Sequence, residues 1–359
     1  MVKYVTRRLL QAIPTFFGIT FLAYLLMSST PGGPLAVLYF SNPRMSNQQK
    51  EALALRLGVN DPFIVQYLRW LIGDDWMRWD TDGDGLSDGS ILVALDSNED
   101  GEPDPPGERR GILRGDFGTS FFSNRPVLTV ISERILPTLE LGLASLVVGL
   151  TIGVPLGIMA AVRKGRWFDN GTRIMAVVFD SIPAFWLGLM LLLIFASSLG
   201  WLPLGGRCKT TLDDTCPPIY ERINYLVLPV FILATGAIAG YSRFTRASML
   251  DVINQDYMRT ARSKGLSNRQ VWFRHGARNA LIPIATFLGP ALTGLLAGAV
   301  ITETVFNYPG LGRVLTAAAT QRDFPVVMAA TIYASIATIL GYLLSDMLYA
   351  LIDPRIRFE

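Results

Sequence analysis

Two short segments hold the densest set of metal-ligating side chains in the sequence. DTDGDGLSD, Asp80 to Asp88, and DSNEDGEPD, Asp96 to Asp104, share the pattern D-x-[DN]-x-D-G-x-x-D. Asp80, Asp82, Asp84 and Asp88 form one set of oxygen donors, and Asp96, Asn98, Asp100 and Asp104 the other. Donors at alternating positions, followed by a glycine that allows a sharp turn, are what a hard cation such as calcium needs in order to be wrapped by a short segment. The twelfth positions hold Ile91 and Gly107, so the bidentate Glu of an EF-hand is missing. The plain alternative is a solvated acidic linker; repetition of the spacing favours calcium.

Other chemistry is sparse. Cys208 and Cys216 are the only two cysteines, and they lie close together between apolar segments. If that loop is extracytoplasmic it permits a disulfide, which would stabilise the loop modestly. The single histidine, His275, has no Cys or second His beside it, so neither a metal site nor a nucleophile and base pair is supported. There is no G-x-x-x-x-G-K-[ST] loop, and the chain is not expected to hydrolyse ATP unaided. These features assign the chain no active site of its own.

The elements that must position these residues are apolar and long. Half of the 359 residues are hydrophobic and only 17% are charged, and blocks of about 20 apolar residues are what a bilayer core requires. Six spans are expected, roughly Val5 to Met27, Thr138 to Val162, Ile174 to Leu199, Ile223 to Tyr241, Ala280 to Ile301 and Val326 to Ile352. The first follows Lys3, Arg7 and Arg8 but is too long for a signal peptide and lacks a clean cleavage site, so it reads as a retained span. Arg163, Lys164, Arg166 and Arg173 fall between the second and third spans, and a larger basic block between the fourth and fifth. Arg355 and Arg357 follow the sixth. The positive-inside rule then places both termini in the cytoplasm. A net charge of +3 conceals this segregation, and the basic loop has few stacking aromatics, which argues against nucleic acid as a partner. Gly153 and Gly157 stand four apart in the second span, a small-xxx-small pair suited to close helix contact.

The expected organisation is an all-α polytopic membrane protein in three stretches. Residues 1–29 are the first span, 30–135 an extracytoplasmic region, and 136–359 the remaining spans, with a cytoplasmic loop at about 246–279. From about 74 to 111 the outer region turns acidic and rich in Gly and Pro without apolar periodicity, as an insertion does. Its repeat is similar to the acidic calcium loops of thrombospondin type 3 repeats, where a later Asp completes the shell.

The segment DYMRTARSKGLSNRQVWFRHGARNALIP, Asp256 to Pro283, resembles the cytoplasmic coupling loop of ABC importer permeases, in the long form of the oligopeptide/dipeptide branch. SIPAFWLG from Ser181, ETVFNYPGLG from Glu303, RDFPVV from Arg322 and DPRIR from Asp353 extend the likeness over nearly the whole chain outside the acidic insertion. The match is to the membrane subunit usually placed first of the two. The resemblance implies the type I importer permease fold and half of a translocation pathway for peptides or related small solutes. It also implies a second homologous permease, two ATP-binding subunits, an extracytoplasmic solute-binding protein and the surrounding membrane lipid. In that family the loop presents a short helix to the ATPase. The corresponding positions are Arg259, Thr260, Ala261, Arg262, Lys264, Gly265 and Leu266, with the first two letters departing from E-A-A. Ala261 would permit close approach, Gly265 would end or bend the helix, and Arg262 and Lys264 would meet acidic groups of the partner.

Glu140, Asp180, Glu303 and Asp346 lie in or at the ends of spans, where ionisable groups are costly. Asp180 falls about 16 Å into the third helix counted from Asp169. It is expected either to meet a charged substrate terminus in the pathway or to pair with an Arg or a helix end across the subunit interface. Glu303 is expected at the outer surface, near the gate. A secondary transporter or channel is the alternative, but it should show inverted repeats or an intramembrane charge relay. A membrane protease would need a base at membrane depth, where the only histidine does not lie.

Overall fold

The computed structural model describes residues 2–30, 46, 48–50, 61–74, 110–209, 216–282, 284, 290–291, 293–294 and 299–352. The two acidic segments, Asp80, Asp82, Asp84 and Asp88 and Asp96, Asn98, Asp100 and Asp104, lie outside the described residues. So do DPRIR and half of the expected fifth span.

The described residues are helical, with an isolated bridge between Thr119 and Pro126. In chain order the helices are α1 Val2–Ser28, α2 Phe63–Ile72, α3 Val127–Val162, α4 Trp167–Ser181, α5 Ala184–Leu191 and α6 Ile223–Ile253. They continue with α7 Asp256–Ser263, α8 Asn268–Gln270, α9 Ala277–Ala280, α10 Val300–Val305, α11 Leu311–Thr320 and α12 Phe324–Ile352. Wider π turns cover Leu192–Ser198 and Val271–Gly276. Among the described residues four helices are long and apolar enough to cross a membrane, and the bent pair Trp167–Ser181 and Ala184–Ser198 makes a fifth if it is one span.

That pair corrects the expected third span. Instead of one helix from Ile174, the chain starts α4 at Trp167 and turns by 94° between the two pieces. Pro183 is the cause: the residue before a proline is pushed out of the helical region, and Ile182 is extended at φ −83°, ψ 124°. A second correction concerns α3, which begins at Val127 rather than Thr138, so the expected boundary at 135/136 falls inside a helix of 36 residues. Its first turns, VLTVISERIL, mix Ser, Glu and Arg with apolar residues and are invisible to a hydropathy window.

Two compact units divide the chain. One comprises Met1–Ala12, Glu133–Val314 and Ala334–Glu359, the other Ile13–Ser132 and Leu315–Tyr333. In the smaller unit Tyr24, Tyr67, Leu71, Phe324 and Met328 form an aromatic-rich core, where the Tyr67 hydroxyl meets the Thr20 hydroxyl at 2.9 Å. Arg69 is buried there between Asp61 and Asp74, the latter at 3.3 Å. Asp323 starts α12 and accepts from the Ser120 hydroxyl and the Phe121 N–H.

In the larger unit α3 and α6 pack along a glycine seam. A Cβ on Gly153 would come within 3.0 Å of the Ile238 carbonyl oxygen, and one on Gly157 within 2.5 Å of that of Ser242. Gly149 extends the seam by another turn, against Ala237. The small-xxx-small spacing thus serves contact within the chain, letting backbones approach where larger side chains would hold them apart.

Candidate functional sites: a basic helical turn and a buried charge cluster

The basic segment folds as a helix, a tight turn and a second helix. Asp256 stands in the first turn of α7, where a negative charge complements the helix dipole. Met258 and Ala261, three apart and so on one face, are buried with Ile158 and Ala161 of α3, Met249 of α6, Val271, Ala277 and Ala280. Leu266 packs against the same cluster. Gly265 takes φ +77° with open space where a Cβ would be, so backbone conformation rather than crowding asks for glycine. Its N–H bonds to the Arg262 carbonyl at 3.0 Å, closing α7. Ser267 then opens α8 with a capping box: its hydroxyl accepts from the Gln270 N–H while the Gln270 side chain accepts from the Ser267 N–H.

The coupling residues expected from the sequence therefore divide by face. Arg259, Thr260, Arg262, Lys264 and Gly265 are exposed, whereas Ala261 is only 5% exposed and Leu266 is half-buried. Ala261 does permit a close approach, but inward, to the ends of α3 and α6. Arg259 lies 3.6 Å from Asp256 with both side chains in solvent, a pair of negligible strength. Arg269, Arg274 and Arg278 are exposed as well, and His275 is half-buried.

A carboxylate ties the neighbouring turn to the same region. Asp169 at the start of α4 is fully buried. It accepts Arg246 Nε at 2.5 Å and Nη2 at 2.8 Å, and the Gly165 N–H at 2.9 Å. About three turns further along α4, Asp180 is ion-paired with Arg243, both partly exposed. Asp180 thus has an arginine of its own chain as counter-charge, rather than one across a subunit interface.

At the other end of α3 the interior is polar. Glu140 receives two guanidinium forks: Arg207 Nε at 2.9 Å and Nη2 at 2.6 Å, and Arg222 Nη1 at 2.9 Å and Nη2 at 2.6 Å. The Tyr308 hydroxyl donates to the same carboxylate at 3.3 Å. Burial, reinforced by the Glu140 charge, pushes the Tyr308 hydroxyl above the usual phenol range, keeping it a donor. Cys208, next to Arg207, is joined to Cys216 by a disulfide with a Cα separation of 5.7 Å.

Glu303 is not at the surface but fully buried. Its Oε1 accepts the Thr138 hydroxyl at 3.0 Å and the Ala299 N–H at 3.3 Å, and its Oε2 accepts the Arg313 N–H at 3.0 Å. Thr138 in turn accepts the Leu311 N–H at 2.8 Å. Leu311 and Arg313 lie in the first turn of α11, where helical N–H groups have no partner of their own. Glu303 and Thr138 supply acceptors from outside. Gly310 lets this happen, because a Cβ there would fall 2.3 Å from the Glu303 carboxylate. The ETVFNYPGLG segment is thus a carboxylate folded back onto the start of the next helix.

Sequence reading missed the partners Arg207, Arg222, Thr138 and Tyr308, and the Asp169–Arg246 clamp. The cost of a lone charge in a span was the available signal for Glu140. It gave no way to choose among distant arginines.

A family model described as "binding-protein-dependent transport system inner membrane component" matches residues 153–358. Over the whole of both chains the protein is 37% identical to the oligopeptide transport system permease protein AppB of Bacillus subtilis (strain 168). It is likewise 36% identical to the di/tripeptide transport system permease protein DppB of Pseudomonas aeruginosa (strain UCBPP-PA14) and 36% to the glutathione transport system permease protein GsiC of Escherichia coli (strain K12). Among solved structures, an inward-facing form of the MetNI methionine ABC transporter aligns with a TM-score of 0.51 at 18% identity, covering 64% of this chain and 98% of that one. That likeness speaks to the fold, the type I importer permease. With the family model matching more than half of it and relatives aligned end to end, the chain belongs to the inner membrane components of binding-protein-dependent transport systems, the permease subunits of ABC importers, whose ATP hydrolysis resides on separate subunits.

Proposed function

We propose that this permease subunit forms half of a pathway for peptides or related small solutes, and that α7 with the turn at Gly265 is the surface on which an ATP-binding subunit docks. One observation carries the docking assignment. Met258 and Ala261 seat α7 on the ends of α3 and α6, while Arg259, Arg262 and Lys264 face solvent on its other side. A push on that charged face reaches two long helices through close-packed carbon, which transmits displacement better than a loose loop. The pathway is completed by a second, homologous permease, and an extracytoplasmic binding protein delivers the solute. Peptides are favoured because relatives of the whole chain are oligopeptide and di/tripeptide permeases. The basic turns face the cytoplasm with both termini, by the distribution of Lys and Arg. The acidic insertion binds calcium, on the strength of its repeated spacing alone; calorimetry of the full chain with and without calcium tests that separately.

Gly265→Val is the test of docking. A β-branched residue is disfavoured at φ +77°, and the strain is confined to the turn. Transport-coupled ATP hydrolysis in the assembled importer should fall about tenfold with the subunit still inserted. Unchanged hydrolysis and unchanged co-purification of the ATPase would remove the assignment.

A further inference from the structure

A cleft beside the α3–α4 turn plays no part in the contacts above. It is lined by α3, α4 and α6, with Trp167 and Phe168 at its mouth by the α3–α4 turn, and with Phe179 and Phe231 also among its walls. Trp167 and Phe179 are twelve residues apart along α4, which spans about 18 Å. Its volume is about 390 Å³, far beyond the roughly 30 Å³ that one water occupies. The walls are carbon. Three hydroxyl-bearing residues line the cleft, and each donates to its own helix: Thr172 to the Asp169 carbonyl at 2.9 Å, Thr235 to that of Ile232 at 2.7 Å, and Ser242 to that of Ala239 at 3.0 Å. The cleft is apolar along this length.

The mouth has the opposite character. The Arg163 guanidinium lies 5.0 Å from the centre of the Phe168 ring, and Lys164, Arg166 and Arg173 are exposed around it. Asp169 is the one acidic residue between 159 and 179, and Arg246 already holds its carboxylate. The cations at the mouth therefore have an excess of positive charge that this segment does not balance. Trp167 is 83% exposed, as suits an indole at a membrane–water boundary.

We propose that the cleft binds one anionic phospholipid, with an acyl chain along α4 and the phosphate held by Arg163, Lys164 and Arg166. Such a lipid carries both things the site asks for, a long apolar body and an anionic head at one end. Basic residues near an anionic leaflet are drawn to its surface. A helix from a partner subunit is the other occupant the carbon walls would admit, and cross-linking tests for it. Naming the leaflet as cytoplasmic rests on the proposed orientation, which surface labelling of a cysteine placed at Ser267 tests independently of the lipid.

The test uses the intact importer, with its partner subunits, extracted from bilayers of equal parts phosphatidylglycerol and phosphatidylcholine and examined by native mass spectrometry. One phosphatidylglycerol should be retained per permease, at least tenfold in preference to phosphatidylcholine. Replacing Arg163, Lys164 and Arg166 together by Gln should abolish the preference. Gly171→Trp should abolish retention itself, since a side chain added there enters open space at the cleft wall. If that variant does not assemble, Thr235→Phe narrows the same cleft from α6 and must give the same loss. Equal retention of the two lipids by the unaltered importer, or retention indifferent to filling the cleft, overturns the proposal. So does efficient cross-linking of a Gly171→Cys variant to the second permease, which would make the cleft a protein interface.

Discussion

Around Glu140 and Glu303 the carboxylates lie inside, met by arginine forks, a hydroxyl and backbone N–H groups. Around Met258 and Ala261, at the opposite end of α3, the interior is carbon and the charges of α7 lie in solvent. The same helices thus end in two different ways. A buried, directional network fixes one arrangement and resists change, because losing any partner strands the rest in a medium that cannot hydrate them. An apolar seat fixes position without using up the charges, which stay available to another protein. Rigidity at one end and charges left in solvent at the other fit the docking proposed for α7. Mutations at the two ends should therefore fail differently, in stability at the first and in coupling at the second.

Glu303 gives the sharpest form of this contrast and the largest expected effect. Glu303→Ala would leave the Thr138 hydroxyl and the Ala299 and Arg313 N–H groups without their acceptor. A loss of about 3–5 kcal/mol is expected, read as a fall in the thermal midpoint of the detergent-solubilised subunit. Gly310→Ala should lower it as well, by placing a methyl against the same carboxylate. A midpoint unmoved by either change would mean that the network is not what fixes this end.

Glu140→Gln follows at about 2–4 kcal/mol. The variant keeps the shape of the side chain but presents two guanidinium groups to a neutral amide, with Arg222 only 7% exposed and Arg207 17% exposed at their side chains. A double-mutant cycle of Glu140→Gln with Arg222→Gln should return a coupling of more than about 1 kcal/mol. Additivity of the two changes would reduce the cluster to surface decoration.

The contrast also sets what could be read from residue order. Gly153, Gly157 and Gly265 were informative because a glycine's meaning is local: no side chain, and freedom to take φ +77°. Four of the six expected spans, the first, second, fourth and sixth, fall in long apolar helices for the same reason. The bend at Pro183 was available in principle, since SIP carries it, but a hydropathy window averages across a proline. Glu303 was misplaced at the surface because its partners come from Thr138, 165 positions earlier, and from a helix start that forms only once the chain has folded. Ala261 was assigned to the docking face by family position, and helical spacing from Met258 would have turned it inward. Long-range polar pairing was the part that sequence could not supply.

At the basic end the expectation reverses. Arg259→Glu with Arg262→Glu changes two exposed side chains, and the thermal midpoint should move by less than the equivalent of about 0.5 kcal/mol. Co-purification of the ATP-binding subunit should fall about tenfold, since two attractive contacts become repulsive ones. Normal assembly would shift the docking surface away from α7. A large loss of stability would instead show that these charges hold the fold, erasing the difference between the two ends.

Asp180 and Arg243 lie between these extremes and should show the smallest effect. Their side chains are 37% and 49% exposed, so solvent screens the pair and its contribution to stability is at most about 1 kcal/mol. Asp180→Asn is expected to leave the midpoint nearly unchanged and to lower uptake no more than several-fold. The informative variant is the exchange, Asp180→Arg with Arg243→Asp, which restores an ion pair with its polarity reversed. If the aspartate serves the helix contact, uptake by the exchanged protein should recover to nearly the unaltered rate. If it meets a charged end of the solute, exchange reverses the field at that point, and uptake of a zwitterionic peptide should stay low while the protein remains fully stable. Recovery is the expected outcome, because each group already has its counter-charge inside the chain and a solute would have to displace one of them to bind.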